Sequence, residues 1–191
     1  MLRTLFVGAA CAALLAGCNQ AEDQDPVNAV QDAASAPVGQ MSAATMGANT
    51  VGGYVPNAAM GDMYEIQAAE IAMERTQNAQ VRELAQMIMT DHRAASEKMT
   101  ALAPQAAPNV TLPTELDERR QGLIDNLRTA DAAAFDQVYL DQQVAAHQEA
   151  LTLHRGFADN TDAPQLATHA REVVPKIEMH LERARALQEA M

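Results

Sequence analysis

The chain has 191 residues, of which 25 are acidic and 13 are lysine or arginine, so its formal net charge at pH 7 is −12. An acidic body repels phosphate backbones, and a chain with no tryptophan, three tyrosines and three phenylalanines has few rings on which bases could stack. We therefore expect no nucleic-acid partner.

The N-terminus resembles a bacterial lipoprotein signal peptide. Arg3 supplies a positive charge, and residues 4–16 are mostly apolar but too few to span a bilayer, which needs ~20 residues. The small pair Ala16-Gly17 stands directly before Cys18. This pattern predicts cleavage of residues 1–17 and a lipid on Cys18, which would attach the chain to the membrane.

The other cysteine, Cys11, lies inside the predicted signal peptide. The mature domain would then have no free thiol, which excludes disulfides, thiolate metal sites and cysteine nucleophiles. Asn19 follows the anchor where an aspartate would resemble an inner-membrane retention signal. We therefore expect a periplasm-facing protein at the outer membrane.

Residues 18–58 are predicted to be the lipidated cysteine followed by a flexible linker. They are rich in Ala, Gln, Asn, Gly and Ser, contain three prolines and show no sustained period. A coil of this length has an r.m.s. reach of ~35 Å. The folded domain is predicted to occupy residues 59–191.

From Gly61 onward, apolar residues recur with the 3.6-residue period of helices. We predict helix A at 61–77, helix B at 80–103, a short helix at 115–128 capped by Thr114, helix C at 131–157 and helix D at 163–189. Pro104, Pro108 and Pro113 interrupt the chain between helix B and the short helix, and Pro175 lies inside helix D. Four long helices with short turns predict an all-α, antiparallel four-helix bundle.

Several polar residues fall on the apolar faces of these helices. His92 lies within the apolar stripe of helix B and His180 within that of helix D, while Glu65 points to the same side as the core alanines of helix A. Folding A against B about residues 78–79 places Glu65 level with His92. Helix C adds Tyr139, Gln143 and His147 at the edge of its apolar face, and Asp91 adjoins His92 on the flank of helix B.

A buried carboxylate such as Glu65 needs a partner, and the sequence leaves two alternatives open. The favoured one is a structural hydrogen-bonded network of Glu65 and His92 with Tyr139 and Gln143. The alternative is a periplasmic site for one transition-metal ion, zinc, copper or iron, held by Glu65, His92 and His147 or His180.

Two features count against the metal site at this stage. Neither His92 nor His180 has the glutamate three residues earlier that di-iron bundles require. Folding C against D about residue 160 also places His147 level with Val173, so that His147 and His180 are expected ~10 Å apart along the bundle axis.

The sequence has no Gly-x-Ser-x-Gly, no His-Glu-x-x-His and no glycine-rich phosphate loop. We therefore expect a binding or structural protein, not an enzyme. An envelope protein that contacts its acidic faces is a further expected partner.

A set of short motifs in this domain resembles a bacterial envelope family, the domain of unknown function 4142. The motifs are Tyr64-Glu65-Ile66, Ile71-Ala72, Val81, Leu84-Ala85-Gln86-Met87-Ile88, Asp91-His92, Tyr139, His147, Leu151, Val174-Pro175-Lys176-Ile177 and His180-Leu181. The resemblance covers residues 58–189. It implies a ferritin-like four-helix bundle with a long crossover between helices B and C. Members are often labelled predicted outer-membrane proteins, and by analogy a role in envelope stress is expected. The resemblance supplies no reaction.

Overall fold

The structure, a computed structural model, describes residues 26–191. The predicted signal peptide and Cys18 lie outside these residues. The described part is all-helical and has no strand: its α-helices are α1 (Pro26–Ser42), α2 (Val51–Arg75), α3 (Ala79–Ala106), α4 (Glu118–Thr129), α5 (Phe135–Phe157) and α6 (Pro164–Glu189), with a short π-helix at Ala43–Gly47 between α1 and α2.

The four long helices pack side by side in a closed ring. Helix α2 contacts α3 and α5, and α6 also contacts both α3 and α5. The short helix α4 lies against α2 and α5, and α1 lies against α4 and α5. The all-helical prediction is confirmed, and each of the five predicted helices has a counterpart.

Helix ends follow local side-chain chemistry. Thr50 and Asn78 cap α2 and α3, since their side chains accept hydrogen bonds from the amides of Gly53 and Gln80. The prediction that Thr114 caps the short helix is wrong, because the Asp117 side chain accepts from the amide of Arg120. Helix α3 also continues through Pro104, which falls in its last turn.

The predicted flexible linker differs from the structure, since residues 26–58 are mainly helical. Helix α1 has no wide apolar stripe, because its inner face consists of small residues that approach the bundle closely. A Cβ atom on Gly39, for example, would lie 1.8 Å from Oε2 of Glu149. Small residues here mark close packing, not a coil. Helix α2 likewise begins well before Gly61, with Tyr54 and Val55 fully buried.

Three apolar clusters form the core. One contains Leu84, Ile88 and Leu140, a second contains Met99 and Leu153, and a third, between α5 and α6, contains Leu151, Val173, Ile177 and Leu181. His92 on α3 and His147 on α5 fall between the first two clusters and form part of a polar layer. No helix within residues 26–191 combines the length and apolar character needed to cross a bilayer.

Candidate metal centre

Three imidazole rings from three helices meet in the polar layer. His92 on α3, His147 on α5 and His180 on α6 each place one ligand nitrogen within 4.8 Å of the others. Their ring centres are 5.3, 5.6 and 5.7 Å apart, which is nearly an equilateral triangle. His92 is 7% exposed, and the other two are fully buried. We call these three residues the histidine triad.

The outer nitrogen of each ring is held by a group that only accepts hydrogen bonds. Nδ1 of His92 donates to Oδ1 of Asp62 at 2.8 Å, and Nε2 of His180 donates to Oδ2 of Asp91 at 3.0 Å. Nδ1 of His147 donates to the carbonyl oxygen of Gln143 at 2.9 Å. These bonds fix the tautomers of His147 and His180 in their neutral forms, so the inner nitrogens of these two rings carry lone pairs.

The inner nitrogens face one another without a proton between them. Nε2 of His147 lies 3.2 Å from Nδ1 of His180. Burial lowers the pKa of His147 well below 6.5, and burial together with the charge of His92 lowers the pKa of His180 to about 4. At neutral pH both rings are therefore neutral, and two lone pairs point at the same small space. Nε2 of His92 is also buried without a hydrogen-bond partner.

The charge around the triad favours a cation. Burial opposes protonation of His92, but its hydrogen bond to Asp62 and the nearby charges of Asp62, Glu65 and Asp91 outweigh burial and raise its pKa. Burial likewise opposes ionisation of Asp91, but hydrogen bonds from Lys176 and His180 lower its pKa. The triad thus lies between carboxylates that stabilise positive charge.

Glu65 lies on α2, the fourth of the long helices, at the level of the histidine triad. Its Oε1 atom lies 3.6 Å from Nδ1 of His147, and its Oε2 atom is buried with no hydrogen-bond partner. Burial raises the pKa of Glu65 to about 7, against the opposing effect of His92. The carboxylate therefore adjoins the outer nitrogen of His147, and it lies outside the set of ligand atoms that are within 4.8 Å of one another.

The expected pair of Glu65 with His92 is replaced by a different one. His92 binds Asp62, which lies three residues before Glu65 on the same side of α2. Sequence reasoning missed Asp62 as a site residue. Its spacing from Glu65 was the available signal, because residues three apart on a helix are neighbours.

The expected separation of His147 and His180 along the axis is wrong. Helix α5 ends at Phe157, as predicted, and α6 begins at Pro164, so the difference lies in how the connecting residues pair the two helices. The guanidinium of Arg171 donates to the carbonyl of Ala158. The chain therefore reverses closer to Pro164, and this shift brings His180 opposite His147.

The remaining predicted polar residues surround the triad. Tyr139 and Gln143 are fully buried on α5, and the Tyr139 hydroxyl and the Gln143 side-chain amide have no hydrogen-bond partner. Gln143 lies near enough to Glu65 to lower the pKa of its carboxyl group, and the Tyr139 hydroxyl forms no hydrogen bond with Glu65 or His92. Asp91, predicted on the flank of helix B, binds both Lys176 and His180.

Two other buried histidines stand apart from the triad. Nδ1 of His154 lies 3.0 Å from the Tyr54 hydroxyl, and both ring nitrogens of His169 lack a hydrogen-bond partner. The rings of His154 and His169 are 6.4 Å apart. They provide natural controls for experiments on the triad.

The comparison with protein families agrees with the motifs quoted above. The model of a family described as Domain of unknown function (DUF4142) matches residues 21–187, which include every residue of the site. No curated protein and no solved structure matches the chain. The family description gives no activity, so the chemistry of the site has to be inferred from its geometry.

Proposed function

Because the chain belongs to the DUF4142 family, whose description assigns no activity, we propose its function from the histidine triad: it binds one divalent transition-metal ion. His92, His147 and His180 are the proposed ligands, and Glu65 is the proposed fourth. The imidazole lone pairs and the carboxylate oxygen in the polar layer would coordinate the ion.

The observation that carries this proposal is the contact between His147 and His180. Two neutral imidazoles whose inner nitrogens both lack a proton repel each other at 3.2 Å. Nitrogens that ligate one tetrahedral ion at ~2.0–2.1 Å stand about 3.3 Å apart, so the observed spacing suits two ligands of a shared ion.

The surroundings of the triad also suit a metal. Metal-binding histidines commonly donate their outer N–H to a carboxylate or a backbone carbonyl, which fixes the ring and its tautomer. Asp62, Asp91 and the carbonyl of Gln143 fill these roles. A set of imidazole and carboxylate donors without thiolate suits Zn²⁺, Cu²⁺ or Fe²⁺.

The rival role is a buried polar network that only fixes helix register. It was favoured from the sequence because His147 and His180 were expected to be far apart. It leaves Oε2 of Glu65 and Nε2 of His92 without partners, and unsatisfied buried groups are costly. The metal site satisfies these atoms together, so we place it first.

We further propose the cellular setting from the sequence. The four long helices form a ferritin-like bundle, and a lipid on Cys18 attaches it to the outer membrane on the periplasmic side. The proposed role is binding and not catalysis, since the sequence lacks the nucleophile motifs and both Glu-x-x-His motifs of di-iron enzymes.

Elemental analysis of the full chain tests the metal proposal. The protein is purified without chelators or a metal-affinity column, and its metals are counted by mass spectrometry. We expect about one transition-metal ion per chain, lost in His92→Ala and retained in His169→Gln, which changes a buried histidine outside the triad. Folded wild-type protein that takes up no Zn²⁺, Cu²⁺ or Fe²⁺ on titration would favour the structural network instead.

A further inference from the structure

A cavity of about 320 Å³ lies beneath α1 and borders the proposed metal site. Helices α2, α4 and α5 form its other walls, and its lining includes His92, Asp62 and Glu65. His147 and His180 do not line it and are fully buried. An ion from solvent therefore needs a path, and this cavity leads to the part of the site that is least buried.

The cavity lining is mostly apolar, and its charged side chains are mainly acidic. Arg119 and Arg120 both donate to Glu149, at 2.9 and 2.7 Å, and Arg120 also binds Asp117, so the two cations are already paired. The remaining charged side chains of the lining are carboxylates, those of Asp32, Asp62, Glu65 and Asp141. A cleft lined by one sign of charge concentrates ions of the opposite sign.

Helix α1 covers this cavity with small, closely packed residues and a few polar side-chain contacts. The carboxylate of Asp32 accepts from the side chains of Asn126 and Gln142, each at 2.7 Å. Gln40 accepts from Thr152 at 2.7 Å, near the end of the helix. The other α1 residues in the lining are small, Ala29, Ala33, Ser35 and Ala36.

Among the described residues, α1 buries less apolar side-chain surface than the long helices do. Three of its larger apolar side chains, those of Val30, Val38 and Met41, point to solvent and are 69, 58 and 68% exposed. Elements with little buried apolar surface open at a small fraction of the free energy of global unfolding. Helix α1 can therefore separate from the cavity while the core clusters of the ring remain packed.

We propose that the metal ion reaches the histidine triad through the cavity beneath α1, and that α1 is the lid controlling its uptake and release. This inference rests on the proposed metal-binding function. Asp32 is the latch, because it joins the lid to α4 and α5 at the same point. The carboxylates of the lining guide the cation inward.

Metal-exchange kinetics of the full chain test the lid, with Co²⁺ as the probe. Uptake is followed by stopped-flow absorption of the Co²⁺ complex, and release is followed after addition of excess EDTA. Asp32→Asn and Asn126→Ala each break the latch, and Asn126→Ala does so without changing charge. We expect both rate constants to rise about tenfold in each variant, with the dissociation constant changed less than about twofold.

Asp125→Asn is the matched control, since Asp125 is an exposed carboxylate of α4 that does not line the cavity. Its rates should equal those of the wild type. Thermal unfolding checks that each variant is folded, and Gln142→Ala, which removes the other neutral partner of Asp32, replaces Asn126→Ala if that variant does not fold.

Different outcomes separate the two proposals. Wild-type protein that never binds Co²⁺ would contradict the metal site itself. Normal Co²⁺ binding with unchanged rates in both latch variants would overturn the lid and leave the metal site standing. Faster exchange in Asp32→Asn but not in a folded Asn126→Ala would also overturn the lid, because the effect would then arise from charge alone.

Discussion

Nε2 of His147 and Nδ1 of His180 stand 3.2 Å apart, and each ring already donates its single proton elsewhere. Neither nitrogen can therefore donate to the other while both rings are neutral. The pair is stable only if a proton or a metal ion lies between the two lone pairs. Because burial lowers the pKa of both rings, a metal ion is the better candidate at neutral pH.

The carboxylate of Asp91 orients His180, so its removal should weaken metal binding without removing a ligand. We expect Asp91→Asn to lower the affinity about 10–100-fold, the range typical of groups that hold a ligating histidine. Competition with a chromophoric chelator measures this affinity. Glu178→Gln, an exposed change on α6 two residues before His180, should leave the metal affinity unaltered. Equal affinities in both variants would contradict the role of Asp91.

Bound metal should stabilise the fold. At a free metal concentration 100 times the dissociation constant, the free energy of unfolding should rise by about 2.7 kcal/mol. For a chain of this size, that raises the melting temperature by roughly 5–10 °C. Calorimetry with and without Zn²⁺ measures the shift. The shift should vanish in His92→Ala, and its persistence there would mean that Zn²⁺ binds elsewhere.

The metal-free protein should lose stability in mild acid. Burial lowers the pKa of His154 to about 3, so between pH 6.5 and 3 the unfolded chain binds a proton at this residue that the folded chain does not. Stability from His154 is thus complete above pH 6.5 and falls as the pH decreases. His154→Gln, which keeps an acceptor for the Tyr54 hydroxyl, should flatten the pH dependence by about one proton.

Urea unfolding in EDTA, repeated from pH 7.5 to 4.5, measures this dependence. His147, His169 and His180 also have lowered pKa values and should leave part of the slope in place. A slope that is identical in wild type and His154→Gln would show that His154 is solvated in the folded protein.

Asp62 and His92 should be energetically coupled in the metal-free protein. Changing His92 alone to leucine leaves the buried carboxylate of Asp62 without its partner and should cost about 3 kcal/mol. The double variant Asp62→Leu with His92→Leu should be more stable than the two single losses predict by addition. Urea unfolding in EDTA gives the four free energies, and strict additivity would argue against the pair.

The proposed anchor has a direct test in cells. Wild-type chain should sediment with membranes and incorporate labelled fatty acid, because a lipid on Cys18 supplies the attachment. Cys18→Ser should abolish both, whereas Cys11→Ser, inside the predicted signal peptide, should change neither. Labelling that survives in Cys18→Ser would exclude this lipidation site.

The sequence allowed the helices and much of the site to be predicted, because both depend on local periodicity. Glu65, His92, His147 and His180 were identified as polar residues on apolar faces, and each is buried in the structure. Their meeting point depended on where the chain reverses after α5. Arg171 lies beside Ala158 there, which centres the reversal near Pro164, and no periodic pattern reports such a shift of register.

Helix α1 escaped prediction for a different physical reason. It is stabilised by small residues and by the Asp32 latch, whose partners lie about a hundred residues away in the sequence. Such a helix lacks the apolar stripe by which periodicity is recognised. Asp62 was missed because an acidic residue next to a glycine resembles an exposed helix start.

The early start of α1 has a mechanical consequence. From Cys18 to Pro26 the chain advances eight residues, which span at most ~29 Å even when fully extended. With the proposed lipid on Cys18, the tether therefore ends on the lid and not on the four long helices. Tension that draws the bundle away from the bilayer acts first on the contacts of Asp32. Pulling on the membrane anchor would therefore speed ion exchange.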